Sequence, residues 1–212
     1  MFASDRDLMV LEPGVVRDAG WAGQRVLDVN GSVSGTTLTI SSGSFVDSGV
    51  DAGSVALIDS LAVEVVSRTS ATQAVVSLLR SDATGAAVAP PVETNRPVKV
   101  YTFGPQLAMV HRQVLSMIGI DPDGGSNGDQ LDESAVTNPG ALVRLEALGA
   151  LHLIYAAAAA PGRGGQGMAD RAALYRERFG AERERVVATI DTDGDGIAEV
   201  SRRPSVFAMT RG

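Results

Sequence analysis

Between residues 25 and 102 the apolar positions come in short runs that alternate with polar ones. RVLDV at 25–29, TTLTI at 36–40, SVALI at 54–58, AVEVV at 62–66, AVVSLL at 74–79 and VKVYT at 98–102 are rich in β-branched residues and separated by Gly, Ser, Asn and Asp. That is the pattern of short, half-buried strands. Asn30-Gly31, Ser42-Gly43 and Asp59-Ser60 carry turn chemistry. Six strands at this spacing predict a small antiparallel barrel or sandwich. The Ala/Pro-rich stretch 82–97 predicts a loop, because proline cannot donate to a central ladder.

The period changes on both sides of this region. Ser4 or Asp5 can cap a short helix that reaches Glu12 and is interrupted by Pro13-Gly14. After Gly104-Pro105, residues Leu107, Val110, His111, Val114, Met117 and Ile118 recur every three or four positions, a helix stripe. Residues 121–132 read as a Gly/Asp loop. Asn138-Pro139 predicts a helix start, cap followed by first-turn proline. The helix that follows carries Leu142, Leu145, Leu148, His152, Tyr155 and Ala159 on one face and ends at Pro161-Gly162. A last helix from about Met168 has Ala172, Tyr175, Phe179 and Val186 on its buried side and mixed Arg and Glu elsewhere. The fold predicted is α+β: a bundle of three to four helices (1–20 and 104–212) with an inserted small antiparallel β-barrel or sandwich (21–103).

Composition narrows the function. The chain has 212 residues, a net charge of −7 and 4% aromatics, so its core is built from Val, Leu, Ile and Ala. The acidic balance argues against a broad nucleic-acid surface, which needs clustered cations. Cysteine is absent, which excludes a disulfide scaffold and thiolate metal sites. The first residues, MFASDRDLMVLEPG, do not read as a secretory signal. The most apolar run, 147–160, contains His152 and reads as too short to span a bilayer. These features predict a soluble protein used inside a cell.

Candidate chemistry is sparse. Asp191, Asp193 and Asp195 alternate and are followed by Gly196, which is how a short calcium loop begins: carboxylate oxygens for a hard cation and a glycine for the bend. An EF-hand would need Glu at the twelfth position. That position is Arg202, and the nearest acid is Glu199, at the ninth. The same residues also read as a tight Asp/Gly turn. His111 and His152 are the only histidines, and each falls in an apolar helix stripe, where a core or interface role fits best. The run from Gly162 to Gly167 follows a helix rather than a strand and lacks the Gly-Lys-Ser/Thr ending of a phosphate loop, so it reads as a linker. No enzymatic constellation emerges. Arg202 and Arg203 precede Pro204 and the apolar Val206, Phe207 and Met209 on a short terminus, which suits docking onto its own domain or onto a neighbour.

The order of certain residues resembles a family. Asp5-Arg6-Asp7-Leu8, Leu11-Glu12-Pro13 and Trp21-Ala22-Gly23-Gln24 open the chain. His111-Arg112-Gln113-Val114-Leu115 follows the β-region. Asn138-Pro139-Gly140-Ala141-Leu142, Leu145-Glu146-Ala147-Leu148 and Tyr175-Arg176-Glu177-Arg178-Phe179 precede Asp193-Gly194-Asp195-Gly196. The arrangement resembles head–tail connector (adaptor) proteins of long-tailed bacteriophages and gene-transfer particles. The resemblance implies a structural virion protein of the neck, assembled in the host cytoplasm. It implies a homo-oligomeric ring, typically a dodecamer, under the portal protein. Such a ring continues the DNA channel, touches that DNA non-specifically, receives a stopper or tail-completion protein, and contacts no membrane. Arg202, Arg203, Val206, Phe207 and Met209 would reach the portal or a neighbour. The alternative, from another class, is a calcium-dependent β-sandwich binding module.

Overall fold

The computed structural model describes residues 1–123, 131–159 and 165–204. The described residues divide into two compact units: Ser4–Pro105, and Met1–Ala3 together with Gln106–Gly212.

The first unit is a closed barrel of six strands: β1 (Gln24–Ser34), β2 (Thr37–Ile40), β3 (Val55–Ile58), β4 (Leu61–Arg68), β5 (Gln73–Ser77) and β6 (Glu93–Thr102). Around the barrel the order is β1-β2-β5-β4-β3-β6, and every neighbouring pair is antiparallel. The alternation supplies the interior of this barrel. One side of each strand supplies Val, Leu, Ile or Ala to a common interior, including Val33, Leu38, Ile58, Val63, Val76 and Val98, with Phe45 as its one aromatic ring. Closure leaves no unpaired edge. Two of the hairpins turn in two residues: Gly35-Thr36 between paired Ser34 and Thr37, and Asp59-Ser60 between paired Ile58 and Leu61. In each, the first turn residue has positive φ, 59° for Gly35 and 58° for Asp59, which matches the twist of the flanking strands.

Two local expectations fail here. Asn30-Gly31 is not a turn but lies inside β1. A Cβ on Gly31 would stand 2.9 Å from the Thr39 carbonyl oxygen and 2.9 Å from Val98 Cγ2, so the glycine serves close approach rather than reversal. Residues 82–97 are not all loop, because β6 begins at Glu93 and takes in Pro97, opposite Asn30.

The same unit contains α1 (Asp5–Leu11) and α2 (Val15–Ala19), followed by a 3-10 turn, Gly20–Ala22. In α1, Asp7 accepts the Ser4 amide at 2.8 Å and the Ser4 hydroxyl at 2.8 Å, closing the helix N-terminus.

The second unit is built on α3 (Gly104–Met117, whose first two residues fall in the barrel unit), α4 (Gly140–Ala158) and α5 (Gly165–Arg185), with a two-stranded sheet of β7 (Ala188–Ile190) and β8 (Val200–Arg202). The predicted bundle of three to four helices with an inserted barrel is therefore corrected. The two short N-terminal helices belong to the barrel's unit. Of the long helices, only α4 and α5 pack along their lengths, while α3 meets α4 locally, at His111–Glu146 and Val110–Gly149. Periodicity reports which face a helix buries, not which partner covers it.

The α4 helix is buried on nearly every side, with Leu142, Leu145, Leu148, Leu151, Ile154 and Tyr155 all at 1% exposure or less. By length and composition alone it could cross a membrane, yet most of it is buried in the protein. On the α5 side, Tyr155 stacks on Tyr175 at 5.7 Å with the rings 6° from parallel. Asn138 is not the cap of α4: its side-chain oxygen accepts the Thr189 amide at 2.8 Å and its nitrogen donates to the Val187 carbonyl at 3.0 Å. It clasps β7 instead, and Pro139 precedes the helix.

Candidate functional site

The helical unit carries the residues the sequence singles out. Between β7 and β8 runs a loop whose shape is set by its first carboxylate. Asp191 is buried, at 9% exposure. Its Oδ1 accepts the Gly194 amide at 2.7 Å and its Oδ2 the Gly196 amide at 2.7 Å. Gly194 and Gly196 take φ of 82° and 87°, where a side chain would be strained. Donation from the Gly196 and Gly194 amides holds the Asp191 carboxyl below the usual carboxylate range. At the far end of the loop Glu199 Oε2 accepts the Thr192 amide at 2.7 Å.

These constraints bring Asp191, Asp193, Asp195 and Glu199 together, with one carboxylate oxygen of each within 4.8 Å of the others. The cluster can hold a metal ion. The sequence picks out the three aspartates, and the structure adds Glu199. Arg202, at the position an EF-hand gives to its last ligand, does other work. Its Nη1 donates to the carbonyls of Ile118 at 2.8 Å and Gly119 at 3.0 Å, a cation seated just past the C-terminal end of α3. Arg203 is exposed. Val206, Phe207 and Met209 lie outside the described residues.

Both histidines are engaged within the unit. His111 is buried, its Nδ1 2.9 Å from Glu146 Oε2 and its Nε2 3.2 Å from Glu133 Oε2. Glu146 is wholly buried on α4 and also accepts the amides of Phe2 at 3.2 Å and Ala3 at 3.3 Å. The carboxylate thus ties the first residues of the chain to two helices. His152 donates from Nδ1 to the Ala172 carbonyl at 3.0 Å.

His152 also borders a cleft of about 460 Å³. Gln113 of α3, Leu153 of α4, and Arg176, Phe179 and Arg183 of α5 line it as well, and no carboxylate does. Arg176 and Arg183 are seven residues apart, two helical turns, so both fall on one face of α5. Neither makes an ion pair among the described residues, and the adjacent Glu182 is taken by Arg144 at 3.2 Å. Sequence reading misses this cleft because Glu is interleaved through α5, and only the helical phase separates the two arginines from their acidic neighbours. Comparison with protein-family models, with curated proteins and with solved structures finds no match.

Proposed function

We propose that the protein works by contact rather than by chemistry, as a subunit of the ring that joins portal to stopper or tail in a long-tailed phage or gene-transfer particle. The observation that carries this reading is the use made of the residues behind the family resemblance. Asp5 accepts the Phe103 amide at 2.8 Å. Arg6 pairs with the buried Glu64, and Asp7 closes the first helix. His111 and Glu146 fasten α3 to α4, and Tyr175 of α5 stacks on Tyr155 of α4. These internal contacts fit a scaffold role. An acidic chain, at −7, also suits a channel wall along which DNA moves without sticking.

The test is negative-stain imaging of the protein mixed with the portal protein of the same genome. The expected result is an added ring on the portal. Portals identical to those imaged alone would overturn the connector reading. Removing residues from 204 onward should weaken that attachment while the rest of the protein stays folded, as judged by its melting transition.

The four-carboxylate cluster favours one further statement, that the metal is calcium. Oxygen-only ligands suit a hard cation. Calcium is expected to raise the melting temperature, and Asp195→Ala to abolish the rise. An identical melting curve in calcium and in chelator would sink the idea.

A further inference from the structure

The cleft on α3, α4 and α5 has a complement on the same chain. Ile197, in the β7–β8 loop, is 67% exposed, the most exposed large apolar side chain among the described residues of the helical unit. Asp193, Asp195 and Glu199 stand exposed around it. Asp195 Oδ1 accepts the Ile197 amide at 2.7 Å and Asp193 Oδ1 the Asp195 amide at 3.2 Å. Each therefore keeps a second carboxylate oxygen for an outside partner. The loop is an apolar tip ringed by negative charge. The cleft is the reverse, with Leu153 and Phe179 beside two arginines, Arg176 and Arg183, that make no ion pair among the described residues.

A chain cannot fill its own cleft with this loop. The Asp191 amide donates to the Ala135 carbonyl at 2.8 Å and Ile190 bridges Val136, which fixes the loop beside residues 131–135, and none of its residues lines the cleft. We infer that the cleft receives the Asp191–Glu199 loop of a second copy of this chain, with Ile197 against Leu153 and Phe179 and the flanking carboxylates facing Arg176 and Arg183. The contact is heterologous, loop to cleft, so it repeats from copy to copy and closes into a ring when the rotation closes. The inference rests on the ring reading above and names the surface through which the copies would join.

The absence of cysteine makes the test clean. Leu153→Cys and Ile197→Cys, made together in one chain, should give a ladder of disulfide-linked multimers on mild oxidation, in chelator to keep the loop fully charged. The experiment is run on the protein alone and on the protein mixed with portal. Adding Arg176→Glu and Arg183→Glu should remove the ladder, and adding Asp195→Arg and Glu199→Arg to those should restore it. A control chain carrying Leu153→Cys with Val46→Cys, an exposed site in the barrel unit, sets the background. A ladder no stronger than that control in both settings overturns the contact, melting curves having shown that the variants fold. Rings on the portal without the 153–197 link overturn this contact and leave the connector reading standing. The link without portal binding supports the contact and counts against the connector.

Discussion

At the scale of single residues, buried charged groups fix parts of the fold. Glu64 is wholly buried in the barrel wall and pairs with Arg6 and Arg80, each 9% exposed at the side chain. Removing one member of such a group strands the others away from water. Glu64→Ala is expected to cost about 3–5 kcal/mol in chemical denaturation; a loss near zero would mean that solvent reaches the guanidinium groups. Asp5 behaves in the opposite sense. Burial pushes its carboxyl up, and donation from the Phe103 amide and the Thr102 hydroxyl recovers only part of that. Its ionisation therefore costs stability, and the loss accumulates as pH rises from the unfolded to the raised folded pKa. Asp5→Asn keeps an oxygen to accept the Phe103 amide and should match or exceed the wild type in stability at pH 7, while falling behind it at low pH. None of these roles is legible in the sequence, because Asp5, Arg6 and Asp7 read there as an ordinary charged first turn.

At the scale of elements, the strands are readable and the packing is not. Alternation locates all six barrel strands because each one buries one side. It misplaces Asn30-Gly31, since a glycine that admits a neighbouring strand and a glycine that turns the chain look alike in sequence. It understates α4, whose burial extends well beyond the predicted stripe. Gly149 shows the reason: a Cβ there would stand 2.7 Å from Val110 Cγ1 and 3.0 Å from Phe179 Cε2, so α3 and α5 both approach α4 at that point. Alanine at 149 should gain about 0.8–1 kcal/mol of helix propensity and lose about 1–3 kcal/mol to crowding. The expected outcome is a net destabilisation of about 1 kcal/mol, larger for valine, and a more stable alanine variant would refute the close approach. The β7–β8 hairpin makes a pH prediction. Asp191 is held below the usual carboxylate range by the Gly196 and Gly194 amides, so its contribution is present above the unfolded carboxylate pKa and lost as pH falls through the lowered folded value. Asp191→Asn should melt earlier than wild type at pH 7, with the gap closing as both are taken to acid; parallel curves would contradict this.

At the scale of the whole molecule, an acidic chain sets in one cleft two arginines without an ion pair among the described residues, and carries an exposed acidic tip in one loop. The three aspartates of that loop are visible in the sequence, but their pairing with Glu199 and the arginine cleft come from helical phase and hairpin register. On the reading we propose, the protein is a part that joins other parts, and the measurement that bears most directly on that proposal is made in the particle it would belong to. If the connector proposal holds, inactivating the gene in the genome that carries it and imaging the products should yield heads without tails, with tails assembled separately, and supplying the wild-type protein should restore joined particles. Normally tailed, DNA-filled particles from the inactivated genome would contradict the account.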